Sequence, residues 1–203
     1  MTKDTHLATG LALSTALLMP HNFHSFVYCM CGAAIGSTIS DIDVGSSKPR
    51  KELNKIIAIS IGSFVSLLII DYIFKINIFS IIQSQEHFYQ FCFGFVTFLA
   101  LSIYGSTTNH RSFTHSIIGL IAFTGAAWIT YSALALPFLI GMISHILLDT
   151  LNTKKVRLLY PSKKGGVAFK LCHSDGKVDK FIQLIATLIL IAEILIFLNK
   201  IIY

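Results

Sequence analysis

The sequence predicts an all-α fold, a polytopic transmembrane helical bundle of about five to seven apolar helices in one domain covering residues 1–203. Of these residues, 54% are apolar and only 13% are charged, and the mean hydropathy is +0.70. The stretches 88–109 and 112–148 contain no Asp, Glu, Lys or Arg. A water-soluble domain of this size could not cover so much apolar surface, whereas a lipid bilayer favours it. The composition therefore indicates an integral membrane protein.

Seven apolar segments, separated by turn-forming and charged residues, are the candidate helices. They cover residues 7–19, 26–39, 56–74, 88–104, 116–131, 133–148 and 181–198. The first two are shorter than the roughly 20 residues that cross a bilayer, so they either cross it at a tilt or form a re-entrant hairpin. Lys3 and Asp4 precede the first segment and no small-residue cleavage site follows it, so we expect it to be retained. The polar stretch 152–180 is predicted to be a basic loop between the last two helices.

The Lys and Arg residues are distributed unequally between the two sides of the predicted bundle. If every segment crosses, one side holds all 16 Lys and Arg residues except Lys75 and Lys200. Such a bias places the basic side in the cytoplasm, so we expect a multi-pass protein of the bacterial cytoplasmic (inner) membrane. The same bias accounts for the net charge of +6, so no nucleic-acid partner is expected. The basic loop should instead attract anionic lipid headgroups.

Four histidines and three aspartates fall at segment ends on this basic side. They are His6, Asp41, Asp43, His110, His115, His145 and Asp149. Imidazole nitrogens and carboxylate oxygens are common ligands of zinc and manganese, so their shared depth predicts a metal site at the cytoplasmic face of the membrane. The other histidines are expected to lie outside this site: His21, His24 and His87 across the bilayer, and His173 in the basic loop.

Two pairs of these residues have a spacing that favours convergence. His145 and Asp149 stand one helical turn apart, so their side chains share one face of the sixth segment. Asp41 and Asp43 are separated by one residue just before a Gly, Ser and Pro turn, where an extended or turning backbone projects both carboxylates the same way.

The third pair, His110 and His115, flanks the start of the fifth segment, and Ser112 or Thr114 is the expected helix cap. A single histidine at a helix end is more often a structural hydrogen-bonding group than a metal ligand. Seven ionisable groups at one depth favour a functional site, because such groups are costly near hydrocarbon.

Several motifs of the chain resemble a known family. The order THLATG, SDID, HRSFTHS and SHILLDTLNT, followed by LLYP, resembles the DUF457 or YdjM-like inner-membrane proteins, described as predicted membrane-bound metal-dependent hydrolases and in part as LexA-regulated. The resemblance runs from His6 to about Pro161. It implies metal or catalytic roles for the seven residues named above. Ser40 and Ser112 stand where family members commonly have Pro and Gly, and neither change removes a ligand type.

The residues and the resemblance together predict metal-dependent hydrolysis of a membrane lipid or lipid-linked phosphoester. One or two divalent ions, with zinc favoured over manganese, would lower the pKa of a bound water toward neutrality. The three carboxylates exceed what one zinc needs, so a spare one would act as general base or orient a histidine. Catalytic roles are predicted for Asp43, Arg111 and Asp149. Arg111 either clamps a phosphoryl oxygen or serves only as a cytoplasmic-side charge.

The alternative is an ion or metal transporter, or a metal-binding membrane protein without hydrolytic activity. Transport sites usually lie near the bilayer midplane between internal repeats. Here the candidate ligands lie at one edge and the sequence shows no repeat. Asp71 and Glu193 lie within apolar segments, where they are expected to pair with Lys75 or Lys200 or to belong to an ion path.

Overall fold

A computed structural model of the protein describes residues 1–45, 47–74, 87–162 and 165–202. These residues form α1 (Lys3–Leu18), α2 (Phe23–Ile39), α3 (Lys48–Phe74), α4 (Phe88–Thr107), α5 (Ile117–Thr130), α6 (Ser132–Leu151) and α7 (Lys177–Ile202). Short 3₁₀ turns, Ser40–Asp43 and Phe113–His115, follow α2 and precede α5. Within the described ranges, β structure is limited to one bridge between Val156 and Val167. The predicted all-α class is confirmed.

Four helices of the described ranges are long and apolar enough to cross a membrane. They are α2 together with its 3₁₀ turn (Phe23–Asp43), α4, α6 and most of α7 (Lys177–Ile201). Helix α5 is apolar but shorter, and α1 has 16 residues. Each predicted segment coincides with one of the seven helices to within a residue or lies inside it. The chain is therefore a helical membrane bundle, while Lys75 and the side chain of Asp71 lie outside the described residues.

The start of α5 differs from the sequence prediction in its cap. The Ser116 side chain accepts a hydrogen bond from the Gly119 backbone N–H at 3.0 Å, so the helix begins at Ile117. Ser112 and Thr114, the expected caps, lie in the preceding loop. Thr114 instead donates its hydroxyl to Asp43 at 2.9 Å, which ties this loop to the turn after α2.

Helix α6 is the centre of the bundle and packs against α1, α2 and α5. Glycines bring the backbones of α2 and α6 into direct contact. A Cβ atom at Gly36 would lie 2.1 Å from the carbonyl oxygen of Phe138, and one at Gly141 would lie 2.5 Å from that of Ala33. This close packing holds the C-terminal half of α6, which carries His145 and Asp149, against the end of α2.

The chain after α6 folds back across the C-terminal end of that helix. The backbone N–H of Phe169 donates to the carbonyl of Thr150 at 2.7 Å, and the N–H of Leu171 donates to that of Leu151 at 2.9 Å. These bonds satisfy carbonyl groups that the last turn of a helix otherwise leaves unpaired. The loop therefore covers the end of the bundle where α6 ends and α1 begins, called the site end below.

Candidate metal centre

The predicted ligands meet at the site end of the bundle. Four different parts of the chain supply them: α1, the 3₁₀ turn after α2, the loop before α5, and α6. His6, His115, His145 and Asp149 are each at most 3% exposed. Buried ionisable groups of this kind require charged or polar partners, because isolated charge is costly in a low-dielectric interior.

Two overlapping groups of side chains have a geometry suited to a metal ion. The first group is His6, His145 and Asp149, and the second is Asp41, His115 and His145. In each group, one ligand atom per residue lies within 4.8 Å of the others. Five of the seven predicted ligands thus come together, and His145 belongs to both groups. Asp43 and His110 lie beside these groups but in neither of them.

The carboxylate of Asp149 lies between the histidines. Its Oδ1 is 3.4 Å from His6 Nε2, and its Oδ2 is 3.2 Å from His115 Nε2 and 4.0 Å from His145 Nε2. On the other side of His145, the Nε2 atom is 3.7 Å from Asp41 Oδ1. The rings of His6 and His145 stack with centroids 3.9 Å apart.

The hydrogen bonds of two histidines leave one nitrogen of each ring available. His145 Nδ1 lies 2.6 Å from the carbonyl oxygen of Ser37, to which it donates, and His115 Nδ1 lies 3.0 Å from Thr114 Oγ1. Both Nε2 atoms are buried: that of His145 makes no hydrogen bond among the described residues, whereas that of His115 faces Asp149 Oδ2 at 3.2 Å. In a metal-ligating histidine, one ring nitrogen usually binds the metal while the other makes a hydrogen bond that fixes the orientation of the ring. The donor set therefore fits a divalent ion such as zinc or manganese.

Asp43 has a different environment from the other carboxylates. It accepts hydrogen bonds from the Arg111 backbone N–H and the Thr114 hydroxyl, each at 2.9 Å. Its oxygens also lie 2.9 Å from His110 Nδ1 and 3.5 Å from His115 Nδ1. Because these donors surround a fully buried carboxylate, Asp43 holds the two histidines of the HRSFTHS motif in place.

The guanidinium group of Arg111 is used within the protein. It donates to Asp149 Oδ1 at 3.0 Å and to the Lys154 carbonyl at 2.6 Å, and the residue is only 6% exposed. Its backbone adopts a left-handed conformation with φ 62°. Arg111 thus compensates the charge of Asp149 and fixes its orientation, beside the loop that follows α6.

Opposing effects act on the pKa of His115. Burial alone lowers it, but the neighbouring carboxylates of Asp149 and Asp43 outweigh burial and raise the pKa to about 9. At neutral pH the metal-free site therefore keeps His115 in its doubly protonated, positively charged form. A metal ion that binds this ring has to displace one of its protons.

A cavity of about 430 Å³ opens next to these ligands. It is lined by Met1, His6, Asp41, Val44, Ser47, His110, Arg111, Asp149, Asn152, Thr153, Lys154, His173 and Ser174. His173, which the sequence analysis placed in the basic loop outside the metal site, lines this cavity but belongs to neither ligand group. The one signal in the sequence was its position on the same side of the predicted bundle. Only the folding of the loop over α6 brings it to the cavity.

Three other polar residues lie away from the site: His21, His87 and Glu193. His21 is in the turn between α1 and α2, and His87 lines a separate cavity beside Tyr131, where α5 turns into α6. At the end of the bundle opposite the site, Glu193 accepts a hydrogen bond from the Thr15 hydroxyl. The predicted pairing of Glu193 with Lys200 is not formed among the described residues. The bond between Thr15 and Glu193 joins α1 to α7 and has the character of an interhelical contact within a membrane.

The fold and the site define the class of protein: an integral membrane bundle with a buried histidine and aspartate centre at one end. The chain belongs to the YdjM inner membrane protein family, whose model matches residues 1–201. It is also similar to the "Uncharacterized protein YvsG" of Bacillus subtilis (strain 168), with 27% identity over 164 residues. That match covers 80% of this chain and 74% of the relative. No solved structure matches the chain.

Proposed function

We propose that the protein is a membrane-embedded metal-dependent hydrolase that binds one or two divalent ions, with zinc favoured over manganese. The observation that carries this proposal is the meeting of three buried histidines, His6, His115 and His145, with the carboxylates of Asp41 and Asp149. A purely structural role would leave the buried His145 Nε2 atom paired, because a buried polar group without a partner costs about 1–3 kcal/mol, yet this atom makes no hydrogen bond among the described residues.

The contacts indicate how the ligands would divide between two ions. His145 has only Nε2 available, since Nδ1 donates to Ser37, so it serves one ion at a time. Asp149 presents Oδ1 toward His6 and Oδ2 toward His115, so its two oxygens can serve different ions. A single ion would be held by either ligand group, and two ions would share the residues of both groups.

A divalent ion, when bound, supplies Lewis acidity and lowers the pKa of a water molecule toward neutrality. The protein's own groups then position the reactants and exchange protons. His110 lines the cavity, and Asp43 holds its Nδ1 at 2.9 Å, which leaves Nε2 to give or take a proton. Arg111 forms an ion pair with Asp149 at 3.0 Å and orients its carboxylate. In this scheme Asp43 and Arg111 are positioning residues, and Asp149 is the carboxylate that contacts the reacting centre.

The substrate class follows from where the site lies. We propose a membrane lipid or a lipid-linked phosphoester, because Asp41 and Asp149 lie at the ends of helices that are long and apolar enough to cross a membrane and the cavity opens beside them. The distribution of Lys and Arg supports a cytoplasmic location for this end and a multi-pass topology in the bacterial cytoplasmic membrane. Anionic headgroups would then contact the basic loop 152–180.

Metal content and turnover test this function directly. The protein purified in detergent should contain zinc or manganese and should release phosphate or an alcohol from lipid phosphoesters, and a chelator should stop the reaction. An Asp149→Asn variant should lose both metal and turnover. Metal binding without turnover, together with metal uptake into proteoliposomes, would favour the transporter alternative instead.

Cysteine labelling in intact cells tests the proposed orientation. A cysteine introduced at Gly165 should react only when the cytoplasmic side is accessible, whereas one at His21 should react from outside. Labelling of the 165 position from outside would contradict the proposed topology.

A further inference from the structure

The mouth of the cavity carries cationic and hydrogen-bond-donating side chains that the metal centre does not use. Lys154, His173, Thr153 and Ser174 line the cavity and are exposed, whereas the metal ligands that also line it are buried, as His6 and Asp149 are, or partly buried, as Asp41 is. None of these four residues belongs to either ligand group. They therefore lie where the outer part of a bound molecule would be.

The loop that carries His173 is fixed in this position. The Asn152 side chain donates to the Ser174 hydroxyl at 3.1 Å, which ties the loop to the end of α6. The backbone N–H of Asp175 donates to Asp179 at 2.7 Å, and the Thr5 hydroxyl donates to the same carboxylate at 2.6 Å. Since Thr5 precedes the ligand His6, these bonds connect the mouth of the cavity to the metal centre.

The charge of the lining favours an anion once a metal is present. Among the lining side chains, with histidines counted as neutral, Arg111 and Lys154 balance Asp41 and Asp149. A bound divalent ion leaves the lining with a net positive charge. Because Arg111 already pairs with Asp149, Lys154 is the lining cation whose side chain remains exposed. A lysine ammonium is a common ligand of phosphate groups.

We propose that Lys154 and His173 form a phosphate-binding subsite at the mouth of the metal centre. This inference rests on the proposed hydrolase function and narrows its substrates to molecules that present a phosphate group to the protein. Lys154 neutralises the phosphate charge, and His173 donates an N–H to one of its oxygens. The cavity volume of about 430 Å³ accommodates a phosphate with a small headgroup attached.

The test uses the full-length protein, loaded with zinc, and titrates it with inorganic phosphate in a calorimeter. We expect Lys154→Met and His173→Gln each to weaken phosphate binding about tenfold, which corresponds to the loss of one charge-assisted hydrogen bond. The matched control is Lys155→Met, which removes the same charge from an exposed neighbour that does not line the cavity. Zinc content should be unchanged in all three variants.

A second arm identifies the source of the phosphate. The protein is placed in nanodiscs of phosphatidylcholine with or without phosphatidic acid, and the phosphate titration is repeated. Weaker binding of inorganic phosphate beside phosphatidic acid in the wild type, with a smaller difference in Lys154→Met and His173→Gln, would show that a lipid headgroup enters the subsite, because repulsion by the anionic membrane acts on all three proteins alike. Unchanged binding would assign the subsite to soluble phosphate compounds.

The outcomes separate this inference from the proposed function. If Lys154→Met and His173→Gln bind phosphate as tightly as Lys155→Met while all three retain zinc, the subsite is overturned and the metal centre stands. If the wild type binds no metal, and Lys154→Met still binds phosphate more weakly than Lys155→Met, the hydrolase proposal fails and the subsite stands.

Discussion

Replacing His145 with alanine should remove metal binding more completely than any other single histidine substitution, because His145 is the one residue common to both ligand groups. Changes to residues that only orient a ligand typically weaken metal binding 10–100-fold. Loss of the ligand itself should exceed that range, so we expect the metal Kd to rise by more than about 100-fold, or about 2.7 kcal/mol. Zinc analysis of the purified protein, followed by titration against a competing chelator, measures this change.

The substitution also removes the donor to the Ser37 carbonyl, which has its own effect on stability. An unpaired buried carbonyl costs about 1–3 kcal/mol, so the metal-free variant should unfold at a lower temperature than the metal-free wild type while still inserting in the membrane. His21→Ala is the matched control, since His21 is exposed in the turn between α1 and α2. A His145→Ala protein with wild-type zinc content and a Kd within threefold of the control would refute the shared centre.

Four further predictions rest on the raised pKa of His115, on Asp43 and on the contact at Gly36. Zinc binding should strengthen about tenfold per pH unit from pH 7 to 9 and then level off, because the raised pKa of His115 makes the metal compete with a proton. In the metal-free protein the proton on His115 stabilises the fold fully below about pH 6.5, and this stabilisation is lost as the pH rises through about 9. The melting temperature of the metal-free protein should therefore fall between these pH values. A zinc affinity and a melting temperature that do not change with pH would contradict the raised pKa of His115. Asp43→Asn should weaken zinc binding 10–100-fold, less than His145→Ala, because Asp43 orients His115 rather than joining a ligand group; chelator competition compares the two variants. Gly36→Ala should lower the free energy of unfolding in detergent by about 1–3 kcal/mol, because the added Cβ would lie 2.1 Å from a backbone oxygen of α6. The control is Gly125→Ala, which should be neutral because a Cβ there would meet nothing within 4 Å. Equal melting temperatures of the two variants would argue against the close contact between α2 and α6.

The sequence was sufficient to predict the membrane bundle and the end of it that carries the site. Apolar segment lengths and the absence of charge predict the helices, and the ligands lie at segment ends, so the sequence predicts that they meet at one end of the bundle. It does not predict the rotation of a helix about its axis or the path of a loop. For this reason the sequence pattern includes Asp43 and His110 among the ligands, whereas the structure places them in neither ligand group.

The contrast between Asp149 and His173 shows what sequence and tertiary structure each contributed. Asp149 was predictable because a helical turn of α6 places it beneath His145 on the same face, a local property of the chain. His173 was not, because it reaches the cavity only when the loop after α6 folds back and bonds to the end of that helix. The periodicity of a helix determines the relative positions of the residues within it, whereas the position of a loop residue is determined by long-range hydrogen bonds that form only in the folded protein.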